Sequence, residues 1–138
     1  MRYKLAVTFL FASLCVILYS VQARETAQNR EQITQGKNLG KKSFGSYCAS
    51  CHGIDGSGNG PVASSLKQPP PDLRRIQARL GKFPADEVRK RISGTLTLPV
   101  HGRRDMPVWG MILSRTDINN LVAYLESIQR PFDPTPAD

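Results

Sequence analysis

Cysteine and histidine are scarce in this chain of 138 residues, which holds three of the first and two of the second. One cysteine, Cys15, sits in an apolar stretch near the start, so no disulfide framework is available to the rest. Strand-like alternation and β-branched runs are missing around Cys48 and Cys51, which speaks against a βαβ redox fold. No internal repeat and no nucleic-acid-binding motif is present, although the formal charge is +8. That charge bears on solubility and on steering toward acidic surfaces rather than on fold.

Arg2 and Lys4 precede an apolar run from Leu5 to Val21, and Val21-Gln22-Ala23 offers small residues where a signal peptidase cuts. The pattern predicts a signal peptide over 1–23, cleavage after Ala23 and an exported mature chain. Leu14 directly before Cys15 is wrong for a lipoprotein site, so Cys15 leaves with the leader. The alternative is an uncleaved membrane anchor, since the run makes about 26 Å of helix, just short of the hydrocarbon thickness.

What remains is concentrated in Tyr47-Cys48-Ala49-Ser50-Cys51-His52. Cys-x-x-Cys-His is the attachment signature of c-type haem. On one helical turn, Cys48 and Cys51 at i and i+3 present both sulfurs to the vinyl groups along one porphyrin edge. His52, at i+4 from Cys48, then points under the ring as the proximal iron ligand. The competing readings are a disulfide, a thioredoxin-like pair and a zinc site with His101. Zinc would require the adjacent Cys51 and His52 to bend onto one small ion.

Around this turn the sequence predicts short helices and loops. Residues 24–30 are polar without periodicity and read as a flexible leader. Ile33, Gly36, Gly40, Phe44 and Tyr47 make a helix face running into Cys48, and its two glycines suit close approach of another helix. Gly53 to Pro61 reads as a loop, without the ending of a phosphate cradle. Pro71 or Asp72 starts a helix through Leu73, Ile76 and Leu80 that Gly81 stops, and Pro84 and Ala85 open another that Gly94 ends. Thr95 to Asp105 reads as loop. Thr116 is the expected N-cap of the last helix, with Ile118, Leu121, Val122, Leu125 and Ile128 as its stripe and Pro131 as its end. Residues 131–138 read as a loosely ordered tail.

An iron held by one histidine needs a second axial ligand, and Met106, Met111 and His101 are the candidates. Pro107 confines Met106 to an extended backbone on a loop, so Met106 is the expected ligand. Met111, beside Ile112 and Leu113, suits a core gap-filling role, and His101 a surface loop.

These residues resemble the class I c-type cytochromes, specifically small bacterial monohaem ones. The matching features are Gly40 and Phe44, Tyr47 to Gly53, Gly58-Asn59-Gly60-Pro61, Met106-Pro107-Val108-Trp109-Gly110 and the Leu121 to Ile128 helix, over about 33–129. The resemblance implies an all-α fold over a domain of residues 31–130. In it the first and last helices cross, Gly40 and Phe44 lying against Leu121 and Tyr124, around one covalent haem c. It implies His52 and Met106 as axial pair and a proline carbonyl accepting from the proximal imidazole. Pro61 is the candidate for that role or for a simple turn. Trp109 packs on the haem, donates to a propionate, or is a plain core aromatic. With both axial positions filled, the expected function is one-electron transfer in the periplasm, not catalysis. The expected partners are redox proteins with acidic docking surfaces, steered by Lys37, Lys41, Lys42, Lys67, Arg103 and Arg104. Three alternatives stand beside it: a haem subunit of a larger oxidase or dehydrogenase, a ligand-binding peroxidase or sensor, and a haem-free zinc module.

Overall fold

A computed structural model describes the backbone of residues 2–96 and 106–131, with side chains from residue 18 onward. Among the described residues the regular structure is helical, with no strand. The chain divides into two units, Met1–Gln35 and Gly36–Asp138.

The first unit is helical from Arg2 and belongs to α1, Arg2–Tyr47. Residues 24–30, expected to be irregular, are helical here. No glycine or proline occurs between residues 2 and 35, and Ala23, Glu25, Ala27, Gln28, Arg30 and Glu31 are strong helix formers, so propensity carries the helix through a segment with no apolar face. Residues 18–35 are exposed throughout. Among the described residues no helix is long and apolar enough to cross a membrane. The side chains of the apolar stretch up to residue 17 lie outside the described residues, as do 97–105 (including His101, Arg103 and Arg104) and the tail 132–138.

In the second unit the end of α1 meets α5, Arg115–Ser127. The contact is as close as its glycines suggested. A Cβ built on Gly40 would stand 2.0 Å from the Asn120 carbonyl oxygen and 2.9 Å from the Tyr124 Cβ. Four residues on, the fully buried Phe44 ring packs on Tyr124 with centroids 5.4 Å apart. Leu121, Val122, Leu125 and Ile118 continue the buried side of α5, and Val88 and Ile92 of α4, Ala85–Ser93, close the core from the other side. Of the expected α1 face, Ile33 and Tyr47 are largely exposed and only Gly40 and Phe44 are buried.

The punctuation of the helices is chemical. Asp72 caps a 3₁₀ turn, Leu73–Arg75, by accepting from the Arg74 N–H, and α3, Ile76–Leu80, follows and ends on Gly81 at φ 76°. Gly94 at φ 79° closes α4, a conformation open to glycine at little cost. The N-cap of α5 is Ser114 rather than Thr116. Its hydroxyl accepts from the Asp117 N–H at 3.1 Å, and the Asp117 carboxylate accepts from the Ser114 N–H at 3.1 Å. This reciprocal pair satisfies two otherwise open donors, which a cap two residues later would leave bare.

Candidate functional site

Cys48 continues the hydrogen bonding of α1, its N–H donating to the Phe44 carbonyl at 2.9 Å. The chain then makes one further turn, α2, Ala49–His52, in which His52 N–H donates to the Cys48 carbonyl at 2.9 Å. Gly53 at φ 77° ends it, so Cys48, Cys51 and His52 share a single turn as their spacing predicted.

A turn this short has four carbonyls to satisfy, and the glycine-rich segment does so. Gly53 N–H donates to Ala49, Val62 to Ser50, Gly60 to Cys51 and Gly58 to His52, at 2.9, 2.9, 3.2 and 2.7 Å. The approach is tight: a Cβ on Gly60 would lie 2.4 Å from the Ser50 carbonyl oxygen. This segment is therefore a backbone clamp on the turn. Its first bend is held by Arg74, which pairs with Asp55 at 2.5 Å and with Asp72 at 2.8 Å. Sequence reasoning missed this pair, because nothing local links Asp55 to an arginine nineteen positions away.

Both thiols are unpaired and half-buried. Burial, with a smaller contribution from Cys51, pushes the Cys48 thiol up to about 11, so it is protonated at neutral pH. Burial also lowers the His52 imidazole from its ordinary 6.5, leaving it neutral with a lone pair available. His52 Nδ1 is buried without a hydrogen-bond partner. The Pro61 carbonyl therefore does not accept from it in this structure. Instead Pro61 occupies the second position of a turn closed by Ala63 N–H donating to the Gly60 carbonyl at 2.9 Å. Among the described residues no three metal-binding side chains of His, Cys, Asp or Glu converge, so a zinc cluster is not formed there. Two free sulfurs and a neutral imidazole on one turn do fit a thioether-linked haem: Cys48 and Cys51 would hold it and His52 would ligate the iron.

Met106 is half-buried against the core, as are Cys48 and Trp109. Met111, expected to fill the core, is instead 90% exposed, and Ile112 is 66% exposed. The reason is the 3₁₀ turn Trp109–Met111, whose Gly110 sits so close to Ser93 that a Cβ there would lie 2.5 Å from the Ser93 carbonyl oxygen. That seating turns Met111 outward and leaves Leu113 as the buried residue. Trp109 packs at a tilt on Tyr47, with centroids 5.4 Å apart, a contact between segments 62 positions apart that no local pattern signals. Lys37, Lys41, Lys42 and Lys67 are exposed.

Comparison with curated proteins and with solved structures gave no match. The family model for Cytochrome c matches residues 38–129, from within α1 to just past the end of α5, and encloses the Cys48–His52 turn, its glycine clamp and Met106. With two thirds of its length so matched, the chain belongs to the cytochrome c family.

Proposed function

We propose that this protein is an exported, periplasmic carrier of single electrons, with one haem c attached through Cys48 and Cys51 and ligated by His52 and Met106. Membership of the family implies haem-based electron transfer and a haem c cofactor. The haem would supply the Fe(II)/Fe(III) couple. The chain's part is to hold the ligands still and keep water and small ligands out.

The observation that favours Met106 is the division between the two methionines: Met106 packs into the core that also takes Cys48, while Met111 faces solvent. A thioether opposite the imidazole raises the reduction potential relative to a second imidazole, which suits a carrier feeding a terminal oxidase or reductase. Lys37, Lys41, Lys42 and Lys67, all exposed, support docking onto acidic redox partners by fast, weak, salt-sensitive encounters.

The test is spectroscopic. Purified ferric protein should show the long-wavelength absorption band of a thioether-bound haem iron. Met106→Ala should abolish it and admit carbon monoxide to the ferrous form, whereas Met111→Ala should leave both unchanged. A wild-type protein without the band, or with a bis-imidazole potential well below zero, refutes the ligand assignment. N-terminal sequencing of exported material tests cleavage after Ala23 against a retained anchor, and a partner oxidation rate indifferent to ionic strength refutes steering.

A further inference from the structure

We propose that the Tyr47–Trp109 ring pair is a clasp that holds the Met106 segment against the Cys48 turn, making Tyr47 and Trp109 positioning residues for the axial thioether. The inference rests on Met106 being the sixth ligand.

Tyr47 is the last residue of α1 and directly precedes Cys48; Trp109 follows Met106 by three positions. Their rings lie 5.4 Å apart at 58°, within the range where tilted aromatic pairs attract beyond their burial. The Trp109 backbone is itself fixed. Its carbonyl accepts from the Ile112 and Leu113 N–H groups at 2.9 and 2.8 Å, and the following Gly110 is pressed against Ser93 at the end of α4. Three residues span at most about 10 Å, and Pro107 removes much of the freedom within them. A Trp109 ring pinned to Tyr47 thus limits how far the Met106 sulfur travels from the face carrying Cys48 and His52. Tyr47 is 39% exposed and stands outside the buried core cluster, so its ring packs at the edge of the core, where it meets Trp109.

The test uses haem-loaded, full-length protein and reads the ligand rather than the fold. Tyr47→Leu and Trp109→Leu each remove the ring pair from one side. Each should weaken the thioether band and raise the fraction of ferrous protein that binds carbon monoxide by roughly threefold to tenfold, the range expected for one aromatic contact. Tyr47→Phe keeps the ring and should match wild type in both. A merely structural role would shift the unfolding midpoint while leaving the band and carbon monoxide uptake at wild-type values, and that result in both leucine variants overturns the clasp. Loss of the band in Tyr47→Phe also overturns it, since the hydroxyl and not the ring contact would then matter. Should one leucine variant fail to mature, the other carries the same two outcomes. Failure of the underlying ligand assignment is distinguishable, because wild type itself would then lack the band.

Discussion

Adding one methyl group to α1 should have opposite effects at two glycines a single turn apart. At Gly40 the new Cβ would lie 2.0 Å from the Asn120 carbonyl oxygen, 2.5 Å from its carbon and 2.9 Å from the Tyr124 Cβ. The first two are backbone atoms of α5 and cannot rotate away. Non-bonded carbon contacts settle at about 3.5 Å, so the two helices must part by roughly an ångström or more, loosening the Phe44–Tyr124 pair as they do. Overpacking of this kind costs about 1–3 kcal/mol or more, against a gain of about 1 kcal/mol from replacing glycine in a helix. At Gly36 the nearest atom is the Asn120 side-chain oxygen at 3.0 Å, the free end of a movable group, so there the propensity gain is retained. Gly40→Ala should therefore show a net loss of up to about 2 kcal/mol while Gly36→Ala gains up to about 1 kcal/mol. Denaturant unfolding of the haem-loaded protein, followed by helix signal, reads both. Equal midpoints for the two variants would refute the close-crossing argument.

The other predictions concern local devices. Ser114→Ala removes the hydroxyl that accepts from the Asp117 N–H, the side-chain half of the capping box, and should cost about 1 kcal/mol of unfolding free energy, whereas Thr116→Ala should cost next to nothing; a reversed order refutes the cap assignment. Arg74→Met should destabilise more than Arg91→Met, since the Arg74 side chain is 14% exposed between two carboxylates and Arg91 pairs with Glu87 at the open surface; equal midpoints would contradict this. Burial, with a smaller effect of Asp55, raises the Tyr124 phenol above its ordinary 10.0. A raised folded-state value means the unfolded chain releases its proton first, so stability holds below pH 10.0 and falls as pH climbs beyond it. Tyr124→Phe should flatten that alkaline decline, and an unchanged slope in pH-dependent unfolding rejects the account.

What could be read from the sequence was whatever is encoded within a few residues. The single turn that carries Cys48, Cys51 and His52, the stops at Gly81 and Gly94 and the Pro84 start of α4 are local chemistry and stand as expected. The close helix approach was legible because two glycines in an otherwise good helix need a reason, and Gly40 has one. The misreadings have local causes too. Ser114 and Thr116 are both capping residues, and only the position of Asp117, three after Ser114, decides between them. Residues 24–30 lack an apolar face, which suggested irregular chain, but helix propensity needs none. Met111 looked like core because its neighbours are apolar, yet a 3₁₀ turn seated on Ser93 reverses which of them points inward. Asp55 with Arg74 and Tyr47 with Trp109 join segments far apart in the chain, and no pattern in a single sequence announces such pairs.

The glycines after His52 show why that long-range part matters for function. The turn α2 fully buries none of its residues and meets the core only through the half-buried Ala49 and the adjoining Cys48, so packing alone is a weak hold on Cys48, Cys51 and His52. Its order comes from backbone bonds on both sides: α1 feeds into it through the Phe44 carbonyl, and the loop returns to bond each of its four carbonyls. Such a return requires peptide groups to lie flat against one another, which Gly60, beside the Ser50 and Cys51 backbone, permits and a residue with a Cβ would not. A redox carrier gains from little reorganisation between its two states. A turn of saturated backbone hydrogen bonds under Cys48, Cys51 and His52, tied outward through Arg74 and through α1 to the Phe44–Tyr124 contact, would supply that rigidity without adding core volume.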